Sequence, residues 1–153
     1  MTMPTPRTSA TPLASVRVSV TVSLDPADAF EVFTTEIDEW YRQGLATMGR
    51  PGTKVALRFE PHVGGRLLET RAGGDDHERA RVTVWEPGRR LVFVDWRETE
   101  VDVRFDAVEG GTRVVLEHRG LERLAPDKAI DVSTFGWRRL ATWFAEYTAE
   151  TRS

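Results

Sequence analysis

The chain of 153 residues contains no cysteine, which excludes disulfides, thiolate metal sites and cysteine nucleophiles. Lysine is nearly missing too: of the 21 basic residues only Lys54 and Lys128 are not arginine. Neither sign of charge dominates. The net charge of −3 gives no general attraction to nucleic acid or to an anionic membrane. No run approaches the roughly 18 apolar residues of a membrane span, and the opening MTMPTPRTSATPLAS lacks the apolar stretch of a secretory signal. The expectation is a cytoplasmic protein without membrane or nucleic-acid partners. With 40% hydrophobic residues, the length suits one domain, since most run to roughly 100–150 residues. Residues 1–14 hold four Thr and three Pro without periodicity and read as a disordered arm. The domain is expected to span residues 15–153.

What the sequence does have is strand punctuation. Val16, Val18, Val20, Val22 and Leu24 alternate with polar residues, the pattern of a half-buried strand. Asp25-Pro26 follows, a helix N-cap with proline at the first helical position. Phe30, Phe33, Ile37, Trp40 and Tyr41 continue at helical spacing, as one helix or two short ones broken near Thr34-Thr35. Residues 44–53 form a glycine-rich loop. Six strand candidates come next, around Val55–Phe59, Gly65–Arg71, Arg79–Val84, Leu91–Trp96, Val101–Val108 and Thr112–Arg119. Glu86-Pro87-Gly88-Arg89 places Pro and Gly where a type II turn requires them. Together with the first strand these make seven, which implies a mostly antiparallel sheet. In the last hairpin, a Gly110-Gly111 turn sets Arg104 opposite Glu117, Asp102 opposite Arg119, Phe105 opposite Leu116 and Val103 opposite His118. The charged strand faces, with Arg79, Arg81, Arg104 and Arg113 among Asp102, Asp106 and Glu117, read as a solvated outer surface.

Residues from about Asp131 to Glu150 form the final element. Gly136, Trp137, Trp143, Phe144 and Tyr147 fall within about 60° of Leu140 on a helical projection, whereas Arg138, Arg139, Thr142 and Glu146 fall outside. So aromatic a face requires a large apolar partner, and the sheet supplies it.

Few residues offer chemistry. There is no HExxH or comparable pair among the three histidines, so neither a metal nor another cofactor is expected. GxSxG is missing, and of the serines only Ser133 lies near the expected cavity. Neither Gly64-Gly65 nor Gly73-Gly74 opens a phosphate-binding pattern. His118 shares parity with Val114 and Leu116, so its ring points inward. It either orients a ligand or moves protons, or it is a core histidine bonded to a carbonyl or to Tyr147. Glu69 shares parity with Gly65 and Leu67 and is either a buried proton carrier or a solvent-facing acid. His118, Glu69 and Tyr147 are the catalytic candidates. The tryptophans are either a ligand wall or ordinary core.

The order strand, helical pair, six strands, long helix is the helix-grip arrangement. The segments Asp25–Phe30, Glu36–Tyr41, FEPHVGGR (59–66), WEPGRRLV (85–92), GGTRVVLEH (110–118) and GWRRLATWF (136–144) resemble the START/SRPBCC superfamily, in the branch similar to the C-terminal domain of the activator of heat-shock-protein-90 ATPase. The resemblance implies an α+β fold, a curved seven-stranded antiparallel sheet wrapped around the C-terminal helix with a ligand cavity between them. Trp40 and Tyr41 from the helical pair, and Gly136, Trp137, Leu140 and Phe144 from the last helix, are then expected to line it. Leu57, Phe59, Phe93, Phe105 and His118 face them from the strands. Three functions follow as alternatives: binding of a small hydrophobic or amphipathic molecule, a cyclase- or dehydratase-like enzyme with His118 as acid/base, or a chaperone-associated ATPase activator. The protein is expected to be a monomer or a homodimer.

Overall fold

The computed structural model describes residues 14–40, 56–70, 74–95, 98–125 and 137–152. Tyr41, Ser133, Gly136 and the 44–53 loop lie outside these, as does nearly all of the expected N-terminal arm. Ala14 is described, and its carbonyl accepts a hydrogen bond from the Leu121 amide at 3.0 Å.

Strand β1 (Ser15–Val22) keeps its valines inward and Arg17, Ser19 and Thr21 in solvent. Asp25 then caps helix α1 (Pro26–Thr35), accepting the Asp28 amide at 2.8 Å, with Pro26 in the first turn. The helix ends at Glu36, and a short α2 (Ile37–Trp40) follows. The Trp40 indole donates back to the Phe33 carbonyl at 3.3 Å, folding α2 over the end of α1. Six further strands form the rest of the sheet: β2 (Ala56–Phe59), β3 (Arg66–Thr70), β4 (Asp76–Glu86), β5 (Arg90–Asp95), β6 (Glu100–Val108) and β7 (Gly111–Arg119). A 3-10 turn (Leu121–Arg123) and helix α3 (Trp137–Arg152) follow the last strand.

All strand pairs are antiparallel, in the order β1-β7-β6-β5-β4-β3-β2. β1 therefore closes against the last strand, and α1 and α2 carry the chain across one face to the opposite edge. Helix α1 touches β6 and β7 and also edge strand β2, so the sheet curls around it as a half-barrel. This is the α+β helix-grip architecture. Between β2 and β3, Arg66 grips Glu60 through two side-chain bonds of 2.8 and 2.9 Å, and its amide adds a third. The Arg66 hydrogen bonds hold the Glu60 carboxyl down at about 2.

The inner face carries a chain of rings. Phe93 packs on Phe59, Phe59 on Trp85, Trp85 on Phe30 and Phe30 on Phe105, with centroids 5.1 to 6.2 Å apart and mostly edge-on. Phe105 continues to Phe33, and Phe33 to Phe144 of α3 at 5.5 Å. Edge-to-face pairs of this kind add about 0.5–1.5 kcal/mol each beyond the area they bury.

Two sequence expectations are corrected here, and one irregularity joins them. The β6–β7 register is shifted by two residues. Val101, not Val103, faces His118; Val103 faces Leu116; Phe105 faces Val114; Asp102 faces Glu117; and Arg104 faces Val115. The turn is Glu109-Gly110, with Gly110 at φ +83°, and Gly111 pairs with Val108 as a strand residue. A Cβ on Gly111 would stand 2.0 Å from the Val22 carbonyl oxygen, so the second glycine is there for the close approach of β1. A shift of two preserves which face each side chain takes, and the inward assignments survive. In β4 the pairing with β5 slips between Val82 and Val84, a bulge next to which Trp85 turns inward onto Phe30. The outer face, finally, is not uniformly solvated. Asp102 is only 3% exposed, beneath Arg90 (2.8 and 3.1 Å) and Arg119 (3.0 Å). Burial pushes its carboxyl up, but the two guanidiniums outweigh this and hold it below the usual carboxylate range.

The Glu86–Arg89 turn has the expected form. The Arg89 amide donates to the Glu86 carbonyl at 2.9 Å, and Gly88 sits at φ +76°, the value a type II turn requires at its third residue.

Candidate functional site

Helix α3 presents the face read from the sequence. Trp143 and Phe144 are buried, Trp137, Leu140 and Tyr147 are half-buried against the core, and Arg138, Arg139, Thr142 and Glu146 are exposed. The helix lies along β1 and against α2. Between them is a small apolar hollow of about 20 Å³, enough for one water-sized sphere. Trp137, Leu140, Ala141 and Phe144 of α3 form one wall. Val18 and Val20 of β1 and Val114 and Leu116 of β7 form the other, with Phe33 and Trp40 closing the end.

Ser19 is the polar residue of the lining, and a buried imidazole stands behind Trp137. His118 is 4% exposed, held between Val16 of β1 and Val101 of β6. The Trp137 indole N–H donates to His118 Nδ1 at 2.8 Å, and the rings meet edge-on at 5.7 Å. An indole nitrogen is a donor only. Nδ1 must therefore be the acceptor, which makes the ring neutral with its proton on Nε2. That proton points to Thr99 Oγ1 at 2.8 Å. Thr99 is itself fully buried, and its amide is anchored on the Asp95 carboxylate at 3.1 Å. Thr99 thus both closes the β5–β6 connection and holds the imidazole ring in place, while the indole of Trp137 sets its tautomer.

The other candidates lie elsewhere. Tyr147 does not reach His118; its hydroxyl donates to Glu36 at 2.6 Å, where α1 gives way to α2. Glu69 takes the inward register beside Leu57, paired with Arg79 at 2.8 Å. Three strands, β6, β5 and β4, lie between β7, which carries His118, and β3, so Glu69 and His118 do not form one constellation. Leu57, Phe59, Phe93 and Phe105 are buried in the inner core, whereas Trp40, Trp137, Leu140 and Phe144 line the hollow itself. Tyr41 and Gly136 fall outside the described residues. Val18 and Val20, missed as lining residues, were visible only as strand alternation. Thr99 gave no signal in the sequence.

Among the described residues no three His, Asp or Glu side chains cluster as a metal ion would need. No helix among them is long and apolar enough to cross a membrane.

Comparison with known proteins places this geometry. No protein of curated function matches the sequence. Among solved structures, the chain is similar to an AHSA1-like protein from Aeromonas hydrophila, with 20% identity over 89% of this chain and 92% of that one and a TM-score of 0.65. It is similar to the Aha1 dimer from Colwellia psychrerythraea, with 13% identity, coverage of 92% and 100%, and a TM-score of 0.66. It is also similar to Txn09, an anthrahydroquino-gamma-pyrone synthase solved in complex with SUM, with 28% identity, coverage of 88% and 97%, and a TM-score of 0.57. The model of one family matches residues 23–149, from the end of β1 through most of α3. By that match, the chain belongs to the family of Activator of Hsp90 ATPase homolog 1-like proteins.

Proposed function

We propose that the protein binds a small apolar or amphipathic molecule between α3 and the sheet. The observation that carries this is the hollow itself: an apolar space under an aromatic helix face, with a buried neutral imidazole bonded to its wall residue Trp137. Small-molecule sites are mostly apolar with a few convergent polar groups. They occupy about 300–1,000 Å³, so a ligand enters by displacing a wall. The wall that yields is the first half of α3, where Trp137, Leu140 and Ala141 are only half-buried. Lifting it breaks the Trp137–His118 hydrogen bond and uncovers the packed faces of Trp137 and Leu140, and the apolar surface of the ligand must cover what the helix uncovers.

A stoichiometric titration with the apolar dye 1-anilinonaphthalene-8-sulfonate tests the reading. One dye should bind per chain, and Ala141→Leu, which fills the hollow from α3, should weaken binding at least about tenfold. Undiminished binding to the filled variant means the dye sits elsewhere, and the reading fails.

The similarity to Txn09, at 28% identity, favours an enzyme of the cyclase kind as the second reading. His118 is the acid/base in that case, and it becomes available only once Trp137 has left it. An ATPase-activator role has in its support the family's name and a neighbour whose 13% identity is a likeness of fold alone.

A further inference from the structure

We propose that Trp137 is a plug standing in for the ligand, and that the ligand is a flat aromatic molecule with an O–H or N–H donor on its rim, which takes over His118 Nδ1 when α3 lifts. This rests on the reading of the hollow as a ligand site.

The two partners of the Trp137–His118 bond belong to parts of the fold that are held very differently. His118 is fixed by the sheet and by Thr99: neighbours on β1 and β6 flank it, Thr99 Oγ1 holds its Nε2, and the Asp95 carboxylate holds Thr99. Its ring is therefore aimed before any helix arrives. Trp137 is the first residue of α3, half-buried, on the wall that must move. What it brings to the site is a planar fused ring with one donor, set against an acceptor. A ligand of that same chemistry replaces it bond for bond, and no buried acceptor is orphaned by the exchange. A molecule whose rim carries only acceptors cannot replace the indole N–H without a change of tautomer at His118, and is disfavoured. The fixed aim of the ring thus sets the specificity, and the helix position sets the access.

The test compares 1-naphthol with 1-methoxynaphthalene, the same ring with and without the donor, by calorimetric titration of the full chain. The naphthol should bind the wild type about tenfold more tightly, the worth of one buried hydrogen bond. Trp137→Phe keeps a ring in place but loses the N–H, so both molecules should bind it severalfold more tightly while the ratio between them persists. His118→Phe should erase that ratio and leave both molecules bound; should that variant not fold, the wild-type ratio and Trp137→Phe decide the matter. If both molecules bind the wild type equally, His118 is no anchor, although the hollow remains a ligand site. If Trp137→Phe weakens both, Trp137 is a wall and not a plug. If neither molecule binds the wild type or Trp137→Phe, the ligand reading itself falls.

Discussion

The Tyr147 hydroxyl donates to the Glu36 carboxylate at 2.6 Å across 111 positions of sequence, tying the middle of α3 to the point where α1 gives way to α2. It is a fixed end for a helix whose first turn is held by the Trp137–His118 bond. If α3 opens to admit a ligand, Tyr147 is the pivot and Trp137 the moving end.

Tyr147→Phe should therefore lower stability by about 1 kcal/mol, the net worth of one hydrogen bond at a half-exposed carboxylate. Urea denaturation reads this as a lower midpoint at unchanged slope. The same variant should bind 1-anilinonaphthalene-8-sulfonate at least as well as wild type, since nothing lining the hollow is removed.

Asp102 gives a pH-dependent prediction. Its carboxyl is held below the ordinary value by Arg90 and Arg119 despite burial. A group with a depressed folded value binds its proton first in the unfolded chain, so its stabilisation is complete above about pH 4 and is lost as pH falls further through the folded value. Asp102→Asn should cost about 2 kcal/mol at about pH 7, as expected for a hydrogen bond to a charged group. The gap between variant and wild type should narrow at about pH 3. A gap that stays constant down to that pH means the ion pairs contribute nothing beyond packing.

The two glycines of the β6–β7 hairpin should respond differently to alanine. At Gly110 a Cβ meets nothing within 4 Å, and the cost is that of the left-handed backbone at φ +83°, about 1 kcal/mol. At Gly111 it meets the Val22 carbonyl oxygen at 2.0 Å, and relief requires the end of β1 to move, at about 3 kcal/mol. Thermal unfolding of Gly110→Ala and Gly111→Ala ranks them. Equal melting temperatures would contradict the close β1 approach.

That hairpin also shows where sequence reading stops. Alternation in β1, the Asp25-Pro26 cap and the Pro87-Gly88 turn are local signals, and each appears in the structure as read. A Gly-Gly pair looks equally local, but Gly111 answers to Val22, almost ninety positions away in the chain. Its role was invisible until β1 and β7 were paired. The bulge next to which Trp85 turns inward is of the same kind, because nothing in residues 79–86 marks where β5 will slip. Asp102 looked like any charged residue on an outer face. Its burial comes from guanidiniums on β5 and β7 that fold over it. For the site, helical spacing placed Trp137, Leu140 and Phe144 correctly on α3, and parity turned His118 inward. The identity of the partners of His118 depended on a loop threonine and on how far α3 extends along β1, neither of which has a periodicity to read.

The most direct measurement is the indole N–H resonance of Trp137 in a ¹⁵N-labelled sample titrated with 1-naphthol, with the Trp40 indole, bonded to the Phe33 carbonyl, as internal reference. The account predicts a Trp137 signal protected from solvent exchange in the free protein that loses this protection as ligand saturates, while Trp40 keeps its own. A ligand that saturates the protein while the Trp137 signal stays protected and unshifted would show that nothing enters beneath α3.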